Sequence, residues 1–203
     1  MGLDKLPSII SKTNWNENGL ARTKSGMLVP AYIANQFGFS TSGKELLDKF
    51  YNRLENEAGI LPLCPFSACE EFFDKKRLGS LKTIDEQLAF WDEFNRIVGR
   101  VNYEVLMPKS KLMIAILDGS HSLDDGVAAE IGFYAAEYKG KKPIVGIRSD
   151  FRLSENPAAP INIAVRYFID RGPYNGFFFN GPDAYDKAVR RIKELADKIR
   201  ATP

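Results

Sequence analysis

The chain has 203 residues, 44% of them apolar and 27% charged, with a formal net charge of +2. That length suits one substantial domain, and so small a charge gives no electrostatic case for nucleic acid or an anionic membrane as partner. Two cysteines and one histidine make a disulfide framework or a metal site an unexpected outcome, and no run of about 18 apolar residues or basic leader is present, so the expected compartment is the cytoplasm.

Residues 1–26 are polar and read as an irregular N-terminal extension, and residues 27–203 read as a single α/β domain. "MLVPAYIA" (27–34) is a short apolar run that predicts a strand. A helix is expected over 40–57, opened by a capping box from Ser42 to Glu45 with apolar residues at helical spacing. "GILPLCPF" (59–66) reads as a second strand that Pro65 ends, and a long helix over about 83–106 follows, opened by Thr83 and Glu86. "KLMIAIL" (111–117) carries no charge inside the run, as a strand buried on both faces should. A helix over about 125–139, a strand over 142–148, a Pro- and Asn-rich loop, a strand at "GFFF" (176–179) and a helix over 182–200 complete the chain.

Strand and helix alternate about five times, which predicts a doubly wound, flavodoxin-like five-stranded parallel sheet with helices on both faces. Ligands bind such sheets outside the carboxyl ends of the strands. The segments to inspect are therefore "NQFGFS", "DGSHSLDDG" and "RSDFRLSENPAAPIN".

The second of these leads into an unusual helix. Glu130 stands among Ala128, Ala129, Ile131, Gly132 and Phe133, with no other charge beside it. Asp124 or Asp125 can cap the helix start, where an aspartate accepts a free backbone N–H. Glu130 then falls in the second turn and leans toward the N-terminus over Gly126, which leaves a hollow with a carboxylate in its wall. The helix amides are expected to help keep that carboxylate ionised. Such a group can be a nucleophile, a base or a cation binder, against the alternative of a structural acid.

"YIANQFGFS", "AILDGSHSLDDGVAAEIGFYAA" and "GIRSDFR…PIN", in that order, resemble the nucleoside 2-deoxyribosyltransferase family, which also includes nucleoside and nucleotide N-glycosidases. The resemblance spans about residues 28–165 and rests chiefly on D-G, a gap and D-x-G-x-x-x-E-x-G. It implies that Glu130 attacks the anomeric carbon of the sugar and holds a glycosyl ester until a second base takes the sugar. An anion suits the oxocarbenium-like transition state. Asp124 matches the aspartate that contacts the base and helps protonate it, a role that needs a raised pKa, to which Glu130 can contribute. Tyr32 matches a tyrosine that orients the nucleophile, and otherwise fills core. Phe37 matches an aromatic against the base, and otherwise packs its loop. Gln36 and Asn35 are candidates for polar contacts, while Asp118 and Gly119 end the third strand and make its turn. Asn162 matches an asparagine that reaches a neighbouring subunit's sugar site, and otherwise caps a helix. The partners implied are nucleosides and free nucleobases, in a homo-oligomer with shared sites, with no cofactor and no metal.

The sequence departs from the family pattern ahead of the third strand, where many members carry an acid for the sugar hydroxyls. "RVNYEVLMPKSK" offers Asn102 and Glu104, and neither aligns without a one-residue shift. Lys111 stands where an aspartate is common, and the C-terminal carboxylate that some members use is not carried over. Arg148 and Arg152 can hold a 5′-phosphate or pair with Asp150 and Glu155, but no Ser/Gly-rich cradle follows the first strand, which favours a nucleoside. His121 reads as a solvated loop residue. The competing functions are an N-glycosidase that uses water, and a nucleotide-binding sensor without catalysis. A dinucleotide oxidoreductase is disfavoured, because no G-x-G-x-x-G follows the first strand.

Overall fold

The computed structural model describes residues 5–24, 26–119, 124–149 and 160–202. A helical turn α1 (Ser8–Ser11) and a short strand β1 (Ala21–Thr23) precede β2 (Gly26–Ala34), a 3-10 turn (Phe37–Phe39) and helix α2 (Thr41–Arg53). Strand β3 (Ile60–Leu63) follows, then α3 (Pro65–Glu70), α4 (Lys75–Ser80) and the long α5 (Ile84–Arg100). A π-helical segment (Val101–Leu106) and a last turn α6 (Met107–Lys109) carry α5 on to β4 (Leu112–Ile116). Helix α7 (Asp125–Tyr138), β5 (Ile144–Arg148), α8 (Ile163–Arg166), β6 (Phe177–Asn180) and α9 (Ala184–Ala201) complete the order.

The five expected strands form one parallel sheet in the order β3-β2-β4-β5-β6. Taken along the chain that order is 2-1-3-4-5, the flavodoxin-like winding. One addition was not expected. Within the segment read as irregular, β1 pairs antiparallel with the start of β2, Ala21 opposite Leu28, and makes a sixth strand.

The period of two in each strand feeds two separate cores. Ala31, Ile33, Leu112, Ile114 and Ile116 point to one face, where α2 (Leu47, Phe50) and α9 (Val189, Ile192) cover them. Tyr32, Ala34, Met113, Ala115 and Leu117 point to the other, against α7 (Val127, Ile131, Tyr134), α3 and the π segment after α5. Burying each aliphatic side chain of this kind stabilises the fold by roughly 1.5–3 kcal/mol relative to leaving it in water. Among the described residues no helix is long and apolar enough to cross a membrane.

Two expected local signals resolve differently from one another. Thr83 caps α5 and its capping box with Glu86 is formed as read. The box expected at Ser42 and Glu45 is not, because Ser40 takes the extended cap conformation and its Oγ accepts from Gly43 N at 3.0 Å. The helix therefore opens earlier, at Thr41. Likewise Pro65 does not merely end β3. It opens α3 at its first position, where a missing N–H costs nothing.

Candidate active site

The sheet order reverses between β2 and β4, so the loops that follow those strands part and leave a crevice. A cleft of about 610 Å³ lies along that crevice, lined by Asn35 behind β2, Cys69 of α3, Asn102 of the π segment, and Asp124, Gly126 and Glu130 of α7. Tyr32 points to the same face from inside β2, with no exposed surface of its own. Its hydroxyl donates to Glu130 Oε1 at 2.6 Å. Strand alternation aims the tyrosine at α7, and a helix that starts at Asp124 brings Glu130 round in its second turn to meet it.

The expected ionisation of Glu130 needs correction. Burial pushes its carboxyl up to about 7, the Tyr32 hydrogen bond pulls the other way, and the nearby Asp124 charge adds to the rise. Loss of hydration is the largest of these influences. The Tyr32 hydroxyl is also raised well above its ordinary value, by burial and then by Glu130, so it remains a donor.

Asp124 stands at the N-terminus of α7. It caps α7, accepting from Val127 N at 3.0 Å, and it lines the cleft. Gly126 leaves the hollow anticipated beneath Glu130: a Cβ there would meet only Asp124 Oδ1 within 4 Å, at 2.9 Å. Of the two candidates ahead of the third strand, Asn102 is 7% exposed and lines the cleft. Glu104 is exposed and pairs with Arg100 at 3.1 Å. Both positions fall inside the π-helical segment, and its turn carries Asn102 to the cleft and Glu104 to the surface.

Several other candidates stand outside the cleft. Asp118 is 8% exposed and accepts from Ser149 N at 2.6 Å, Ser149 Oγ at 2.8 Å and Tyr185 Oη at 3.2 Å. The Gln36 side-chain amide donates to the Asp118 carbonyl, and Gly119 ends the described part of the loop after β4. Asn162 caps α8 by accepting from Ala164 N at 2.9 Å. Arg148 is buried and reaches the Leu117 carbonyl at 3.5 Å. His121, Asp150, Arg152 and Glu155 lie outside the described residues.

Phe37 does not line the cleft; it packs on the core that α2 and α9 cover. The Asn35 side chain accepts the Phe37 N–H at 3.0 Å and starts a 3-10 turn, which swings the second residue on to a different side. Phe39 takes the cleft position instead, 81% exposed and edge-on to Phe66 at 4.7 Å. Glycine at position 38 permits this, since a Cβ there would overlap the Phe66 ring. Phe66, Trp91 and Phe94 extend the aromatic wall. None of these three rings was singled out in the sequence, where Phe37 alone was the aromatic candidate against the base, with loop packing as its alternative.

A parallel α/β sheet with a carboxylate-bearing helix at its switch point defines a small-molecule site at the carboxyl ends of the strands. The family model described as nucleoside 2-deoxyribosyltransferase matches residues 31–164. The chain belongs to the nucleoside 2-deoxyribosyltransferase family. Among solved structures it is similar to a 2-desoxiribosyltransferase from Leishmania mexicana, at 19% identity and a TM-score of 0.47, over 82% of this chain and 97% of that one. No curated protein matches the chain.

Proposed function

We propose that the protein cleaves the N-glycosidic bond of a deoxynucleoside and transfers the sugar to another nucleobase through a glycosyl ester on Glu130. The hydrogen bond from Tyr32 to Glu130 in the wall of the switch-point cleft carries this reading. Tyr32 holds one carboxylate oxygen and so orients the other toward C1′. The C1′–N bond breaks as the C1′–O ester forms, and the electron pair leaves with the base. Asp124, in the same wall, contacts the departing base and assists its protonation. An incoming base then attacks C1′ from the vacated side as the C1′–O ester bond breaks, Glu130 leaves as the carboxylate and the base nitrogen gives its proton to Asp124; two inversions leave the configuration unchanged.

The reading includes a homo-oligomer. Asn162 sits outside the cleft of its own chain, and Ile163, Tyr167 and Phe133 expose apolar surface on the neighbouring helices. Sedimentation would return a mass above that of one chain.

Incubation of a deoxynucleoside with a second free base tests the reaction. A new nucleoside is expected to accumulate. Base release that ignores the added base and gives free sugar alone would replace transferase with N-glycosidase. A 2-fluoro-deoxynucleoside should leave a glycosyl adduct on the peptide that contains Glu130, and an adduct elsewhere would remove the mechanism.

A further inference from the structure

Asn102 is buried to more than nine tenths, yet it has one hydrogen-bond partner among the described residues. Its Oδ1 accepts from the Cys69 thiol at 3.7 Å. Its amide nitrogen has none, and the residue lines the cleft that holds Glu130. A carboxamide has an acceptor end and a donor end, and its orientation is set by whichever neighbour meets it. A thiol is a weak donor and a still weaker acceptor, so it selects the oxygen. Burial pushes the Cys69 thiol up to about 12, with Cys64 and Glu130 adding to the rise; it therefore stays protonated, a donor and not a nucleophile, at any working pH. Cys69, Asn102 and Glu130 all line the one cleft.

We propose that Cys69 is a positioning residue: its S–H fixes the Asn102 carboxamide so that the NH₂ faces the cleft and donates to a hydroxyl oxygen of the bound sugar. The juxtaposition of a thiol, a buried amide with a free donor end and Glu130 along one cleft carries the inference, which rests on the sugar-transfer reading. An acid at position 102 can only accept from a sugar hydroxyl when ionised. The amide offers a donor instead, so this site reads the same hydroxyl through its lone pair.

Steady-state kinetics with a deoxynucleoside test this on wild type, Cys69→Ala and Cys69→Ser. Removing the thiol frees the amide to turn, so Cys69→Ala should raise KM about fivefold, the worth of one hydrogen bond, with kcat nearly constant. Cys69→Ser restores a donor and should recover most of that loss. The effect of Cys69→Ala should vanish on one of two substrates, the 3′-deoxy or the 5′-deoxy analogue, whichever lacks the hydroxyl in question. Should Cys69→Ala fold poorly by its melting temperature, Asn102→Ala, which removes the amide donor outright, should raise KM by a similar factor on the full deoxynucleoside and leave it unchanged on the analogue that lacks the hydroxyl. Unchanged KM in Cys69→Ala, no recovery in Cys69→Ser, or an effect that persists on both analogues would overturn the proposal. Wild type that fails to release base from any deoxynucleoside overturns the functional reading instead, so the two failures are separable.

Discussion

Asp118 and Glu130 are both secluded carboxylates at the carboxyl ends of the sheet, and they have opposite surroundings. Asp118 follows β4 and has its two oxygens occupied by Ser149 and Tyr185. Glu130 has one oxygen held by Tyr32 and the other turned to a cleft. A carboxylate whose lone pairs are filled by protein holds a loop in place. One whose burial exceeds its hydrogen bonding sits at a pKa of about 7 and has bonding capacity left for a ligand. Seclusion alone does not tell the two apart; the count of donors does.

The largest effect expected from breaking this contrast is at Glu130 itself. Glu130→Ala should cost about a thousandfold or more in both transfer and hydrolysis, with the far-ultraviolet spectrum unchanged; surviving turnover would relocate the chemistry. Glu130→Gln sharpens the same point through stability. The folded protein keeps the Glu130 proton up to about pH 7, whereas the ordinary value is 4.5. Wild type therefore loses stability as pH rises across that window, and a glutamine that never ionises does not. Denaturant unfolding should find Glu130→Gln about 3 kcal/mol more stable than wild type at pH 8 and no more stable at pH 4. Equal stabilities at pH 8 would mean that the carboxylate is well hydrated.

Activity should rise with pH as Glu130 ionises, with a midpoint near 7. Tyr32→Phe keeps the packing and removes the one hydrogen bond that lowers this value. Its acidic limb should move to higher pH, and kcat/KM at neutral pH should fall about tenfold. A limb that stays in place would separate Tyr32 from the titration. Asp118→Ala, by contrast, strands the Ser149 and Tyr185 donors and should lower stability by about 2–3 kcal/mol in denaturant melts. The smallest effects concern the two phenylalanines of the 3-10 turn. Phe39→Ala should raise KM a fewfold through lost stacking, while Phe37→Ala should lower the melting temperature by several degrees through lost packing; the reverse pattern would exchange their assignments.

The alternation of buried strands with amphipathic helices was readable because each strand needs apolar residues on both faces, as "KLMIAIL" shows without a break. Glu130 stood out for the converse reason, a charge with Ala128, Ala129, Ile131 and Gly132 on either side of it. The rest was hidden in places where one backbone turn decides a direction. Phe37 and Phe39 are two residues apart in one 3-10 turn, and nothing in "FGF" says which ring meets the cleft. Asn102 and Glu104 differ only by where a π turn places them. Asp118 carries a side chain suited to a ligand, but Ser149, 31 positions along the chain, fills it, and Asn162 caps its own helix through Ala164 N.

What the residues alone determined is the alternation of strands and helices, three loops at the carboxyl ends of the strands where a ligand would be sought, and the isolated acid on the helix after one of them, because hydrophobic periodicity and helix-start signals act over a few neighbouring positions. What only the tertiary structure decided is how each polar group is used: which carboxylate is filled and which left wanting, that burial raises Glu130 to about 7, and which way a buried amide turns. Those outcomes depend on donors brought from strands and helices far apart in the chain, and on how much water their packing excludes.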